Sequence, residues 1–305
     1  MQAGTIMSGE NVEQGGDPMS ISATKILLAT DVSEEAELAA RTAIDLAGKT
    51  GSELHIVHVL VLPPETLHDP FGTAAREEFE KRGRARLDEL VGRLEASGGA
   101  VRGAHFRVGS PAAEIVAQAE EVGAGLVVLG SRGLGAMRRA LMGSVSDSVV
   151  RHAPCPALVV RGEPLAFPTK ILLATDGSEE AMLAATTAAA LAEGTDSELH
   201  VVTVGPFVPT VFAATEEEPG RMAREARGTL DEQVGLIEAA GGRVAQAHLR
   251  LGGAAEEIVA LAEDVGAGLI AMGSRGRGGI RRALMGSVSE RVVRHAHCAV
   301  MIIRG

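Results

Sequence analysis

The chain has 305 residues, of which 46% are hydrophobic and 23% are charged, and its formal net charge is −11. This acidic balance, with no Trp, no Tyr and only six Phe, lacks the basic footprint and the stacking aromatic rings of nucleic-acid-binding proteins. Nothing in the composition indicates a bilayer partner either. We therefore expect neither a nucleic acid nor a membrane as a partner.

The first 23 residues are rich in Gly, Ser, Glu and Asn. They have neither the basic start of a signal peptide nor an apolar stretch long enough to span a membrane, and we expect them to form a disordered leader. The two cysteines, Cys155 and Cys298, occupy matching positions and favour a reducing compartment over a disulfide framework. We expect two small buried residues and a cytoplasmic protein.

The chain contains a tandem repeat. The segment 25–31, KILLATD, recurs at 170–176, and Glu53-Leu-His55 recurs as Glu198-Leu-His200. Each copy is near the common size of an independent domain and too long for a solenoid unit. The repeat predicts two domains of one fold at 24–162 and 169–305, joined by a linker at 163–168.

Within each copy the apolar pattern alternates between strand and helix. In chain order, the first copy predicts a buried strand at 26–29, a helix with alanines at helical spacing from 36 to 47, a strand at 54–60, a long polar helix at about 74–96, an alternating strand around 104–108, a helix around 115–122, a strand at 126–129, a short helix at 144–152 and a last strand at 157–160. Strands separated by helices imply a parallel, doubly wound α/β sheet. Ligands of such sheets lie at the carboxyl ends of the strands, and if the first and fourth strands are neighbours, Asp31 and Gly130 face one crevice.

A glycine-rich pattern follows the fourth strand of each copy. Gly130-Ser-Arg-Gly133 is followed, after nine residues, by Gly143-Ser144, and the whole spacing recurs from Gly273 to Ser287. Such a loop and the helix after it can bind an anion through backbone N–H groups and the helix dipole, although glycines also simply form turns. Retention of the spacing in both copies favours two nucleotide sites. Walker and GxGxxG motifs are missing, so the P-loop NTPase and dinucleotide-fingerprint interpretations fail.

Several side chains near this loop leave alternatives open. Asp31 and Asp176 could face the crevice or cap the next helix, a role that Ser33 or Ser178 could also fill. Ser144 and Ser287 could be N-caps, with Asp147 and Glu290 as their capping-box partners. The pairs Arg138-Arg139 and Arg281-Arg282 could bind phosphate or lie on the solvated surface. The histidines His105, His248, His152 and His295 have no nucleophile or carboxylate spaced beside them for catalysis.

The glycine spacing, joined to the Ala-Thr-Asp end of the first strand and the Gly-Ser-Val-Ser helix start, resembles the universal stress protein family. The resemblance covers almost everything from residue 24 to 305, as a tandem pair. It implies an open, Rossmann-like sheet of strand order 3-2-1-4-5 in each copy, and ATP as the ligand. Whether Mg or Mn accompanies the ATP is left open.

The resemblance also assigns residues to these two sites. In the first copy, Asp31 would contact the adenosine part, Val59 would pack on the adenine, Gly130 and Gly133 would line the phosphates, and Gly143, Ser144 and Ser146 would donate to them. The matching positions of the second copy are Asp176, Val204, Gly273, Gly276, Gly286, Ser287 and Ser289. The neighbouring positions Ala29, Leu129 and Val145, with Ala174, Met272 and Val288 in the second copy, complete the predicted sets.

Two functional classes remain on this basis. The first is a stress-response or signalling module that depends on bound adenine nucleotide, with a protein partner that the sequence does not identify. The second is a slow ATPase or phosphotransferase that uses the same sites. Phosphoryl transfer needs metal, a positioned nucleophile and charge stabilisation together, and no general base lies in the motif. The sequence favours binding over turnover.

The final strands predict how the copies assemble. Segments 157–160 and 299–303 are apolar throughout, yet in strand order 3-2-1-4-5 they lie at a sheet edge. An exposed apolar edge invites pairing. We expect the two strands to pair around a pseudo-twofold axis and to make the chain an internal dimer, and a further homo-oligomer is left open.

Overall fold

The fold is described from a computed structural model, in which residues 24–62, 72–133, 142–167, 169–207, 218–278 and 285–304 are described. The first half contains β1 (Lys25–Thr30), α1 (Glu34–Thr50), β2 (Glu53–Leu60), α2 (Gly72–Ala96), β3 (Val101–Val108), α3 (Pro111–Val122), β4 (Leu126–Gly130), α4 (Ser144–His152) and β5 (Ala157–Val160). The second half contains β6 (Lys170–Ala174), α5 (Glu179–Thr195), β7 (Glu198–Gly205), α6 (Glu218–Ala239), β8 (Gln246–Leu251), α7 (Ala254–Val265), β9 (Leu269–Gly273), α8 (Ser287–His295) and β10 (Ala299–Ile303). The predicted series of strands and helices is confirmed in each half.

The strands form one ten-stranded sheet in the order β3-β2-β1-β4-β5-β10-β9-β6-β7-β8. Each half is parallel and follows the predicted order 3-2-1-4-5. Helices cover both faces because the buried strands are apolar on both sides. One core packs the sheet against α1, α2, α5 and α6, and the other packs it against α3, α4, α7 and α8.

The two halves join through their last strands. β5 and β10 run antiparallel, with Met301 opposite Leu158 and Val300 opposite Val159, and all four side chains are buried. The predicted pairing of the final strands is therefore confirmed, and it removes the apolar edge that each half would otherwise expose.

A side chain of the first half also holds a helix of the second. Arg161, directly after β5, donates hydrogen bonds to the backbone carbonyls of Val293 at 2.5 Å and Ala296 at 2.7 Å, at the carboxyl end of α8. The last carbonyls of a helix have no donor within the helix, and a cation there complements the helix dipole. Arg161 thus fixes α8 across the junction.

The connector between the halves is packed and not a loose tether. Leu165 and Phe167 are buried in the core on the α1 side of the sheet. Their N–H groups donate to the Thr42 hydroxyl at 2.9 Å and to the Asp45 carboxylate at 2.8 Å, both on α1. The segment that the sequence predicts as a linker therefore helps to position the two halves.

Both cysteines are buried just before the last strand of their half, as predicted. Burial raises the pKa of the Cys155 thiol to about 12 and that of Cys298 to about 11. Because the thiolate is the reactive form, both residues are inert packing elements at neutral pH.

Candidate functional site

The carboxyl ends of β6 and β9 lie side by side and border a cavity of about 320 Å³ in the second half. The first and fourth strands of each half are neighbours, as predicted, because β1 pairs with β4 in the same way. The predicted residues that line the cavity are Ala174, Asp176, Val204, Met272, Gly276, Gly286, Ser287, Val288 and Ser289. Of the predicted set for this half, Gly273 alone is not in the lining, because it is buried at the end of β9.

The aspartates at the strand ends do not cap the helices that follow. Ser33 and Ser178 are the N-caps, since each Oγ accepts the N–H of the residue three positions later, at 3.2 and 3.3 Å. Oδ1 of Asp31 accepts the Ser33 N–H at 3.1 Å, and Asp176 does the same for Ser178 at 3.0 Å. These bonds orient each carboxylate toward the glycine loop.

The carboxylate and the loop approach each other closely in both halves. A Cβ atom on Gly133 or Gly276 would lie closer than 3.0 Å to Oδ2 of Asp31 or Asp176, respectively. In the second half the N–H of Arg277 also donates to Asp176 Oδ2, at 2.8 Å. Neither glycine has a positive φ. Glycine at these two positions therefore leaves room for the carboxylate and is not explained by a left-handed turn.

Gly143 and Gly286, not the serines after them, are the N-caps of α4 and α8. The prediction that Ser144 and Ser287 are N-caps is wrong. The N–H of each cap glycine donates to a carbonyl at the start of its own loop, that of Ser131 or Ser274, at 2.8 Å, so the cap lies one residue earlier than expected. The two serines are exposed first residues, and their hydroxyls are not used for capping.

The third residue of each of these helices is buried and already hydrogen-bonded. The Ser146 hydroxyl donates to the Gly130 carbonyl at 2.8 Å, and the Ser289 hydroxyl donates to the Ser274 carbonyl at 2.6 Å. These bonds tie the helix to the end of the strand. What Ser146 and Ser289 offer an anion in this arrangement is their backbone N–H, which has no intrahelical acceptor in the first turn.

One wall of the cavity is apolar. Val204 and Met272 lie there as predicted, together with Val202 and with Ala254 and Ile258 from the first two turns of α7. In the first half Ala29 and Leu129 are buried at the ends of adjacent strands, and Val59 is half-buried near the end of β2, while Val145 is half-buried at the start of α4. The sequence pattern did not reveal the two α7 residues because their helical spacing indicates core packing equally well.

A buried carboxylate that the sequence pattern did not single out fixes the start of the second loop. Glu180 accepts hydrogen bonds from the Ser274 hydroxyl at 2.6 Å and the Arg275 N–H at 2.7 Å, and it forms an ion pair with the Arg275 guanidinium. By its sequence, the Glu-Glu pair after each N-cap serine indicates only a helix start. Glu180, the second glutamate of this pair, is the sequence feature that could have drawn attention to the contact with the loop.

The four singled-out histidines do not line this cavity. His105 lies 3.2 Å from His55 and His248 lies 3.1 Å from His200, nitrogen to nitrogen, on the outer strand pairs. Burial and the neighbouring histidine lower the pKa of both His105 and His248. His152 lies within hydrogen-bond distance of the Ser148 carbonyl in its own helix, and His295 ends α8. Both arginine pairs, 138–139 and 281–282, lie outside the described residues.

Fold and crevice together define an open, doubly wound α/β protein with a helix start beside the carboxyl ends of the strands. The sequence model of the universal stress protein family matches residues 23–161 and again 168–304. The chain therefore belongs to the universal stress protein family, in a tandem form.

The chain is also similar to individual proteins that bear this family name. A putative universal stress protein of Staphylococcus haemolyticus is 36% identical over 143 residues, which is 45% of this chain and 84% of that protein. A crystal structure of a universal stress protein from Archaeoglobus fulgidus covers 94% of this chain and 98% of its own, at 24% identity and a TM-score of 0.71. A universal stress protein solved in complex with cAMP covers 44% of this chain and 96% of its own, at 26% identity and a TM-score of 0.37.

Membrane spans and clustered metal ligands are both missing from the described residues. None of the helices within those ranges is both long enough and apolar enough to cross a membrane. Nor do the described side chains include a group of three or more His, Cys, Asp or Glu that could hold a metal ion. A metal bound through a ligand's own phosphates is a separate matter, because such an ion needs few protein ligands.

Proposed function

We propose that each half of the chain binds one adenine nucleotide, ATP in the first instance, and that the protein is a stress-response or signalling module governed by nucleotide occupancy. The observation that carries this proposal is the second-half cavity, whose lining contains nearly the whole predicted residue set. The cavity combines an apolar wall, a carboxylate and the start of a helix, which are the three surfaces that a nucleotide requires.

The residues of the second half suit this ligand. Val204 and Met272 offer an apolar surface for adenine, and Asp176 offers a carboxylate to the ribose hydroxyls. Backbone N–H groups at the start of α8, from Ser287 to Ser289, offer donors to phosphate oxygens. The absence of a side chain on Gly276 leaves the loop backbone open toward the same space.

The same roles fall to the matching residues of the first half. Asp31 lies at the carboxyl end of β1 against Gly133, as Asp176 lies against Gly276. Val59 and Leu129 supply the apolar surface, Gly130 and Gly133 the backbone of the loop, and Gly143, Ser144, Val145 and Ser146 the helix start. The cap glycine donates to the matching loop carbonyl in each half, and the buried serine donates to a carbonyl at the end of the fourth strand, that of Gly130 or of Ser274, which supports two sites and not one.

We infer binding rather than efficient turnover. A hydroxyl nucleophile needs a base to activate it, and the Ser146 and Ser289 hydroxyls donate to backbone carbonyls instead. We expect phosphate release from ATP to be slower than about one per second, the low end of ordinary enzyme rates. A faster rate, lost on Gly276→Val, would favour the alternative of an ATPase or phosphotransferase.

The proposal is tested by Gly276→Val in equilibrium titrations with ATP. The added side chain would collide with Asp176, so we expect affinity at the second site to fall at least about 100-fold while the first site is retained. Gly228→Val is the matched control, because a side chain at this exposed position of α6 would meet nothing within 4 Å. Full binding at both sites by folded Gly276→Val protein would reject the assignment of this loop.

A further inference from the structure

The two glycine loops differ in charge at one position. Between residues 130 and 146 of the first half and 273 and 289 of the second, only three positions differ. Arg277 replaces Leu134, and the other two changes, Ala136 to Gly279 and Met137 to Ile280, are neutral. The arginines at 138–139 and 281–282 are common to both loops, so they are not a difference in sequence between the halves.

Arg277 stands at the rim of the second-half cavity. It lies between Gly276 and Gly278, and all three residues belong to the cavity lining. Its backbone is fixed there by the hydrogen bond from its N–H to Asp176 Oδ2, at 2.8 Å. The guanidinium is exposed, and the one hydrogen bond that it forms with described residues, to the Thr229 hydroxyl, has a length of 3.4 Å, which is near the limit for such a bond. The side chain is therefore held weakly, and its guanidinium can leave the Thr229 hydroxyl for a better hydrogen-bond acceptor.

Arg277 also carries an uncompensated charge. The other cation in the described lining, Arg275, forms an ion pair with Glu180. Among the described residues, Arg277 has no carboxylate within ion-pair distance of its guanidinium. The remaining polar lining consists of neutral hydroxyls and backbone groups, together with Asp176. A positive charge at this rim attracts an anionic ligand in proportion to the charge that the ligand brings.

We propose that Arg277 is a specificity-determining residue, which makes the second site favour nucleoside triphosphates over monophosphates more strongly than the first site does. The inference rests on the proposed function, that both sites bind adenine nucleotides. A guanidinium fork matches phosphate oxygens in two-point hydrogen bonds, which leucine at position 134 cannot offer. One charge-assisted contact changes affinity by about tenfold or more.

The test compares the two sites in single-site chains. Gly133→Val leaves the second site and Gly276→Val leaves the first, and calorimetry then gives Kd for ATP and for AMP at constant salt. We expect the ratio of Kd for AMP to Kd for ATP to be about tenfold larger at the second site. Arg277→Leu should lower that ratio to the value of the first site, and Leu134→Arg should raise the ratio at the first site.

Arg243→Leu is the matched control, because it removes the same charge from the exposed turn between α6 and β8, at the opposite end of the strands. An unchanged ratio in folded Arg277→Leu protein that still binds ATP would overturn the inference and leave the proposed function standing. Should Arg277→Leu not fold, Leu134→Arg decides the question, since an unchanged ratio at the first site would equally overturn the inference. If the unmodified chain binds neither ATP nor AMP, the proposed function itself fails.

Discussion

Val32 and Gly177 occupy the same turn in the two halves, directly after the aspartate that ends the first strand. Both have left-handed backbone, with φ of 64° for Val32 and 72° for Gly177. In each half the N–H of this residue donates to the preceding threonine hydroxyl, at 3.1 and 3.2 Å. Valine is a poor residue for this conformation because its branched Cβ crowds the backbone. The turn is therefore imposed by the geometry of the crevice, and the second half meets that requirement with less strain.

The halves differ again at their junction. Arg161 donates to the carboxyl end of α8, whereas its counterpart Arg304 has a buried Nη1 with no partner among the described residues. Burial and the nearby Arg275 lower the pKa of Arg304. The backbone follows a pseudo-twofold axis, but these side chains do not. The first half therefore stabilises the carboxyl end of α8, the helix that begins at the second site, through Arg161, whereas Arg304 of the second half does not stabilise α4 in the same way.

The junction itself gives the largest expected effect. Ile302→Asp would place a carboxylate on a fully covered strand at the centre of the sheet, where an unpaired buried charge costs about 3–5 kcal/mol. We expect folded protein to be lost or to aggregate, as followed by urea unfolding and light scattering. Gln246→Asp, at an exposed position of the outer strand β8, should change the free energy of unfolding by less than about 0.5 kcal/mol. Equal tolerance of both changes would contradict a joined sheet.

The two arginines give the next effect. Arg161→Met removes charge-assisted bonds to partly buried carbonyls and should lower the free energy of unfolding by about 2 kcal/mol in urea titrations. Arg304→Met should lower the free energy of unfolding by clearly less or not at all, because it leaves no buried carbonyl without its donor. An equal loss in the free energy of unfolding for both variants would contradict the difference between the two arginines.

The turn residues give a smaller effect of opposite sign. Val32→Gly relieves the strained φ, and the added freedom of the unfolded chain offsets part of the gain, so we expect stabilisation by about 0.5–1 kcal/mol. Gly177→Val should destabilise, since its Cβ would also press on Thr229 and Arg277. Thermal unfolding of the two variants measures both signs, and destabilisation by Val32→Gly would argue against a strained turn.

The smallest effect depends on pH. The pKa values of His105 and His248 are lowered in the folded chain, first by burial and then by the partner histidine, with Arg107 and Arg250 acting in the same direction and Glu121 against it at His105. The unfolded chain then binds more protons, so stability is complete above the ordinary histidine pKa of about 6.5 and falls as the pH drops below it.

Replacing both histidines by Gln should flatten this decline between about pH 7 and pH 5. Urea unfolding at a series of pH values gives the slope. A slope as steep as that of the unmodified chain would place the titrating groups elsewhere in the molecule.

Much of this architecture could be predicted from the sequence because it depends on local patterns. The alternation of strands and helices follows from apolar runs such as 157–160 and 299–303, whereas the neighbouring first and fourth strands and the edge position of the final strands were expected from the strand order that the family resemblance implies. The positions that escaped prediction depend on contacts between distant segments. Gly143 caps α4 because a carbonyl at the other end of its loop fixes its N–H, and Ile258 lines the cavity only because α7 packs beside β7.

The same distinction applies to Glu180 and to the connector. A glutamate in the first turn of a helix is ordinarily solvated, and nothing local indicates that Glu180 would hold Ser274 and Arg275. Leu165 and Phe167 lie among prolines and polar residues that are typical of a linker, yet Thr42 and Asp45 of α1 hold them in the core. Predicting these contacts requires the packed structure.

The most direct test of the account is the number of adenine nucleotides that one chain binds. Calorimetric titration of the unmodified protein with ATP should saturate at two equivalents, and Gly133→Val or Gly276→Val alone should reduce this to one. The double variant should bind none while keeping its folded far-ultraviolet circular dichroism. No detectable binding of ATP by the unmodified chain would contradict the account.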